Sequence, residues 1–268
     1  GKKATMEPVR NQDGTMARTE EEIMEAWADH QEGLGTPKVH DLEDLSFACR
    51  VRAQVAGCKR ITYKTEPGPL DAGFEQDEVK VGIEALQYHK AATEDGTTNP
   101  MFKCGGEVME NLLTRLFNFM AKRECVHPEW QKSTVVNLYK EGDRSQCGNY
   151  RGIALISCLG KLYLSLWARR LADFAESRLE DAQGGFRRYR STVDQAIVFK
   201  ETLRRRKRQG QDTFVCFIDF RKAFDTVWHD GLWKALWDQG VRGKAWRIVR
   251  SLYFSMQASV RLGDKTTR

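Results

Sequence analysis

The sequence predicts a mixed α/β fold, and three observations predict it. Two segments, Glu107 to Lys122 and Lys161 to Leu179, repeat apolar residues at helical spacing. Thr134 to Lys140 holds Val135, Val136, Leu138 and Tyr139, a strand-like run, with Ile153 to Ile156 as the returning strand. Five consecutive apolar residues of β preference, Phe214 to Ile218, lead into Asp219 and fit a strand buried on both faces.

The elements follow in order. Residues 19–32 read as a helix, with Thr19 as cap, Glu22 at the capping-box position and Ile23 and Trp27 four apart. Residues 36–76 are weakly patterned, with a loop at Pro67-Gly68-Pro69. A short helix is expected over 76–90, with Val79, Ile83 and Leu86 on one face. The helix from Glu107 carries Val108, Leu112, Leu116, Phe119 and Met120 at helical spacing. Glu141-Gly142-Asp143 is a turn. The next helix points Leu162, Leu166 and Phe174 inward and Arg169-Arg170 outward. Ser191 and Asp194 form a capping box that starts a helix running into Arg204–Arg208 and closed by Gly210. Asp230 is expected to cap a helix carrying Leu232, Trp233, Leu236 and Trp237, and Gly243 to Met256 forms another. Ser259 to Arg268 reads as a strand and a turn at Gly263-Asp264.

Composition narrows the function. The chain has 268 residues and a net charge of +6, unevenly distributed. Residues 1–100 hold 12 Lys+Arg against 19 Asp+Glu, a net of −7, and residues 101–268 hold 31 against 18, a net of +13. The second part therefore suits a polyanion and the first does not. The seven cysteines, at 49, 58, 104, 125, 147, 158 and 216, include no Cys-x-x-Cys, and read as reduced thiols of an intracellular protein, nuclear or cytoplasmic. No run of eighteen apolar residues exists, so no membrane partner is expected. Gly1-Lys2-Lys3 leads into no apolar core and is no signal peptide. The missing initiator Met and the half-hairpin at the C-terminus suggest a piece of a longer reading frame.

The chemistry concentrates in Phe217-Ile218-Asp219-Phe220-Arg221-Lys222-Ala223-Phe224-Asp225. A carboxylate at the end of a buried strand suits a hard divalent cation, because the strand fixes the oxygens. Two such metals about 4 Å apart can activate a 3′-hydroxyl and stabilise the leaving pyrophosphate. The alternative, on periodicity alone, is a helix cap at a strand–helix junction.

This nonapeptide resembles the first palm motif of reverse transcriptases from non-long-terminal-repeat (LINE-type) retrotransposons, Phe-x-Asp-Phe-x-Lys-Ala-Phe-Asp. Trp130 to Arg144 and Asn149-Tyr150-Arg151-Gly152-Ile153 resemble the family's fingers hairpin. Gln183 to Gln195 resembles its second fingers motif, with Tyr189 where the family usually has glycine. Lys90 to Gly96 resembles the element just before the fingers, and residues 19–32 the helix linking an upstream endonuclease to the polymerase.

The resemblance implies a right-hand polymerase fold: fingers plus partial palm, truncated before the Tyr-x-Asp-Asp hairpin. It implies an extension over 1–78, partly helical or flexible, a helical element over 79–122 and the polymerase domain over 123–268. It implies RNA-directed DNA synthesis with two Mg²⁺ ions in the complete enzyme, held by Asp219 and the main-chain carbonyl of Phe220. Lys140 and Arg151 would grip the triphosphate of a deoxynucleotide, Lys222 and Ala223 would lend backbone amides, and Phe224 would exclude a 2′-hydroxyl. Arg187, Arg188, Arg190 and the run Arg204, Arg205, Arg206, Lys207, Arg208 would track phosphates of the RNA template and DNA primer. The partners implied include the C-terminal palm and thumb of the same polyprotein.

Two rivals stand beside this reading. One is a non-catalytic nucleic-acid-binding remnant using the same basic surface. The other is a helical protein-interaction module built on residues 105–122 and 230–256. No Asp-Asp pair occurs in the chain. Asp219 alone cannot hold two metals, so the 268-residue polypeptide is expected to extend no primer by itself. Incorporation of deoxynucleotide in a primer-extension assay with Mg²⁺ would refute this.

Overall fold

A computed structural model describes residues 6–35, 42–64, 66–88, 96–220 and 222–267. The chain opens with a small hairpin, β1 (Val9–Arg10) and β2 (Met16–Ala17), followed by helix α1 (Glu20–Gly35). The capping box forms as its spacing requires: the Thr19 hydroxyl accepts from Glu22 N at 3.3 Å, and Glu22 accepts from Thr19 N at 3.1 Å and Arg18 N at 2.8 Å. These bonds hold the Glu22 carboxyl below its usual range.

Helices α2 (Leu42–Ile61), α3 (Gln76–Glu84), α4 (Asn99–Lys103) and α5 (Gly106–Arg123) come next. Strands β3 (Lys132–Tyr139) and β4 (Tyr150–Leu155) form the expected hairpin, and helix α6 (Cys158–Glu176) follows. Helices α7 (Thr192–Arg208), α8 (His229–Asp238) and α9 (Gly243–Tyr253) precede β5 (Gln257–Leu262) and β6 (Lys265–Thr266). The sheet order is β4-β3-β5-β6, with β3 antiparallel to β4 and parallel to β5.

Two apolar clusters hold these parts. The larger joins α2, α3, α5, α6, α8 and α9 around Trp167, Trp246, Tyr163, Phe117, Leu162 and Ile248. The smaller packs β1, β2 and α1, through Val9, Ile23 and Trp27, against Cys147 and Val260 of the sheet region. Burial of each large side chain contributes roughly 1.5–3 kcal/mol relative to exposure. Arg170 ties α6 to the segment before α3. Its guanidinium donates to both Glu78 carboxylate oxygens, at 2.7 and 2.6 Å, and to the Ala72 and Gly73 carbonyls, at 2.6 and 2.7 Å. It also lies 4.2 Å from the Phe74 ring centre.

Several expectations need correction. The run 213–219 is not a buried strand: residues 211–220 carry no regular structure and every one is exposed. A strand needs a pairing edge and covering layers, and among the described residues neither reaches this segment. Both edges of β3 are taken, by β4 and β5. Helix α2, twenty residues long, arises in a stretch read as weakly patterned; its inward stripe is narrow, Ala48, Val51, Val55 and Cys58. Helix α5 buries Leu113, Phe117, Met120 and Ala121 and exposes Val108, Leu112 and Phe119. It is apolar on two sides, and the aromatic partners of Phe117 (Phe74, Trp130 and Tyr163) decide which side faces in. Arg170 points into packing rather than outward. Trp228, not Asp230, occupies the cap position of α8, and Asp230 pairs with Arg52 at 3.3 Å.

Helix α3 runs through residues 78 and 79, the larger core draws on residues on both sides of them, and Val9, Ile23 and Trp27 pack against the sheet region. The element expected at Lys90 to Asp95 lies outside the described residues. No described helix is long and apolar enough to cross a membrane.

Arg170→Met is expected to lower stability by about 2–3 kcal/mol, because it strands the Glu78 carboxylate and two carbonyls. Arg170→Lys should recover less than half, since an ammonium cannot reproduce the planar fork. Chemical denaturation of the variants checks both values.

Candidate nucleotide and nucleic-acid interface

Strand periodicity builds the first part of the site. The register pairs Val136 with Ile153 and Leu138 with Arg151. Side chains alternate along a strand, so Val136, Leu138, Ile153 and Arg151 share one face, and Lys140, just past the strand end, continues it. The opposite face carries Asn137, Tyr139, Tyr150 and Gly152, and α1 covers it: the Trp27 and Tyr150 rings meet edge-on at 5.0 Å. The face with the two cations stays open, with Leu138 and Ile153 about half exposed.

The turn after Lys140 is braced from several sides. Lys140 N donates to Asn149 O at 2.9 Å, Tyr139 Oη to Gly142 O at 2.6 Å and Asn149 Nδ2 to Asp143 O at 2.9 Å. Arg10 of β1 donates through its backbone to Ser145 O at 2.7 Å. Gly142 sits at φ +89°, and a Cβ there would lie 2.7 Å from Asn149 Nδ2. The Lys140 ammonium bonds Glu141 Oε1 at 2.9 Å. That hydrogen bond, and the charges of Lys140 and Arg151, hold the Glu141 carboxyl below its usual range. One cation, Lys140, thus bonds the carboxylate while the charge of Arg151 acts on it from farther off, and a phosphate oxygen has the same chemistry.

Asp219 is not brought to that face by a strand. It lies exposed in the irregular segment and makes no ion pair with Lys140, Arg151 or any other described cation. Phe220 and Phe224 beside it are exposed. Ala223 lies in an exposed turn, closed by bonds from Asp225 N and Thr226 N to the Lys222 carbonyl at 3.0 and 3.1 Å. The Lys222 side chain turns away to His30 of α1, with Nζ 3.0 Å from Nε2. The ring of Phe224 meets Phe186 at 6.1 Å, so the loop between α6 and α7 touches the segment that follows Asp219. Among the described residues no three His, Cys, Asp or Glu side chains are grouped to hold a metal. One carboxylate at Asp219 does not fit the two ions expected.

The arginines divide into two sets. Arg187 is a structural staple, its side chain 6% exposed. It donates to Glu176 Oε1 at 3.1 and 2.8 Å and to the Glu180 carbonyl at 2.9 Å. The guanidinium expected to track phosphates is here committed to partners inside the loop. Arg188 and Arg190 pair with Asp173 and Asp181 at 2.8 and 3.6 Å on the surface. Arg204 pairs with Glu201, and Arg206 donates to Thr213 Oγ1 at 3.0 Å. Arg205, Lys207 and Arg208 are exposed in the last turn of α7, where they also complement the helix dipole. Sequence reasoning missed Glu141 and His30, whose roles depend on neighbours that only folding supplies.

Comparison with known proteins joins these observations. Residues 138–267 match the family described as reverse transcriptase (RNA-dependent DNA polymerase). The chain is 28% identical over 233 residues to the probable RNA-directed DNA polymerase from transposon BS of Drosophila melanogaster, covering 84% of this chain and 24% of that protein. It is 26% identical over 227 residues to the RNA-directed DNA polymerase from mobile element jockey of the same fly, again covering 84% and 24%. A Pol polyprotein from the type-1 retrotransposable element R2 of Popillia japonica is 28% identical over 141 residues, 53% of this chain and 20% of that protein. These similarities are to RNA-directed DNA polymerases and polyproteins of transposable elements, and the family match covers residues 138–267, just under half of the chain. The chain spans about a quarter of the length of the first of these relatives, 24%.

Gly142→Ala is expected to strain the turn through both its φ and its contact with Asn149. A loss of about 1–2 kcal/mol should appear in thermal unfolding.

Proposed function

We propose that this chain forms the fingers and the beginning of the palm of a right-hand RNA-directed DNA polymerase, a nucleotidyltransferase that extends a DNA primer on an RNA template. The observation that carries the reading is the hairpin register, which puts Lys140 and Arg151 on one open face beside Leu138 and Ile153. Lysine acts there as a point charge and arginine as a fork on the triphosphate of an incoming deoxynucleotide. Asp219 supplies one carboxylate towards divalent metal, with the Phe220 carbonyl beside it. Further carboxylates would come from sequence outside this chain, as would the strands that convert 213–219 into a buried strand. Lys222 and Ala223 contribute backbone amides, and Phe224 presents a ring to the sugar. Arg188, Arg190, Arg204, Arg205, Arg206, Lys207 and Arg208 are the phosphate-facing set, without Arg187. Catalysis of this kind rests on positioning and charge neutralisation.

A second reading has its own support. Asp219 lies on an exposed segment and, among the described residues, belongs to no group of three metal-ligating side chains, which favours nucleic-acid binding without catalysis for the 268-residue chain alone.

Primer extension by a polypeptide that continues past residue 268 separates the two. The first reading expects Mg²⁺-dependent incorporation that Asp219→Asn lowers on the order of 10³-fold; no incorporation by the longer protein favours the second. Both readings expect salt-sensitive binding of an RNA–DNA hybrid. Replacing Arg205, Lys207 and Arg208 by glutamine should flatten the salt slope by roughly 0.9 for each phosphate no longer neutralised.

A further inference from the structure

The loop between α6 and α7 carries two aromatic side chains among three arginines: Phe186, Arg187, Arg188, Tyr189 and Arg190. Arg187, turned inward, fixes the loop to the end of α6 through Glu176 and the Glu180 carbonyl. The capping box of α7 fixes the far side, with the Ser191 hydroxyl donating to Asp194 Oδ2 at 2.8 Å and accepting from Asp194 N at 3.2 Å. The loop is therefore held at both ends by bonds that need no ligand.

On this frame Phe186 and Tyr189 both adopt φ +60°, the left-handed region that side-chain-bearing residues seldom enter. Glycine would hold Tyr189's backbone without strain. The tyrosine gains nothing from the fold in return. Its relative exposure is 101%, against 95% for Phe186, and it makes no ring contact or hydrogen bond with a described residue. Phe186 at least meets Phe224. A strained backbone that presents a bare aromatic face is a feature to be explained by a ligand.

The flanking charges identify the ligand's class. Arg188 lies 2.8 Å from Asp173 and Arg190 3.6 Å from Asp181, and all four side chains are solvent-accessible. Surface pairs of this kind are weak, and either guanidinium can exchange its carboxylate for a phosphate. An aromatic face between two exchangeable guanidinium groups is the arrangement that stacks a base and holds the phosphates on either side. Only an unpaired base offers its face, because duplex bases are already stacked on their neighbours.

We propose that Tyr189, flanked by Arg188 and Arg190, is a stacking platform for an unpaired base of single-stranded nucleic acid. This rests on the nucleic-acid reading above and adds to it a residue and the single-stranded character of the segment bound.

The test uses the 268-residue chain and fluorescence anisotropy, with labelled oligo(U) of about 12 nucleotides and an RNA duplex of equal length. Tyr189→Gly should raise the melting temperature, because strain is relieved. It should also weaken oligo(U) binding about 10-fold while leaving duplex binding unchanged. Tyr189→Phe should bind like the parent. Replacing Arg188 and Arg190 together by glutamine should reduce the oligo(U) salt slope by about 1.4. Undiminished oligo(U) binding by Tyr189→Gly overturns the platform while leaving the wider reading intact, and an unchanged slope overturns the arginines' part in it. If the parent chain binds neither probe at low salt, the nucleic-acid reading itself falls.

Discussion

The central position of β3 is the constraint on which the folded part depends. Its antiparallel edge takes β4 and fixes the face that Lys140 and Arg151 share. Its parallel edge takes β5, with Lys132 opposite Gln257 and Val136 opposite Arg261. A parallel pair needs a long connection, and here that connection is everything from β4 to α9. The helices α6, α8 and α9 within it build most of the larger core together with α2, α3 and α5. The smaller core locks the N-terminal hairpin and α1 onto the other face of the sheet. Loss of β3 would remove the cation pair and the closure of the crossover together.

One part of that crossover does not join either core. Among the described residues from 181 to 227 none is buried, although the stretch is rich in large apolar side chains. Val193, Ile197 and Val198 on α7 and Phe214, Phe217, Ile218 and Phe220 beyond it are all exposed, and the ring of Phe199 meets that of Phe217 at 5.7 Å. Soluble proteins seldom leave so large an apolar surface uncovered. On the proposed reading the cover is further palm sequence, and the same cover seats Asp219. Catalytic geometry and burial of this surface are then one event, which links the exposed segment to the incomplete metal site.

The sequence was most legible where local chemistry decides. The capping boxes at Thr19 and Ser191, the hairpin over 132–155 and the glycine-closed end of α7 all formed at or near the expected residues, because each depends on neighbours a few positions away. It was least legible where partners are distant. The inward face of α5 is chosen by rings on other elements, and Arg170 is drawn inward by Glu78, ninety-two positions away. The apolar run before Asp219 has every local mark of a strand, and propensity alone cannot supply an edge to pair with. In the candidate site, the shared face of Lys140 and Arg151 was legible because alternation and register follow from the hairpin. The bonds of Arg187 to Glu176 and the Glu180 carbonyl were not legible, because a phosphate-binding arginine and a loop staple look alike until their neighbours are known.

The central claim is that residues 213–219 are a strand awaiting partners. Amide hydrogen exchange measures this directly. The 268-residue chain should exchange these amides as fast as an unstructured peptide, while a polypeptide that continues past residue 268 should protect them to the level of β3. Protection already present in the shorter chain, or fast exchange that persists in the longer one, would contradict the account.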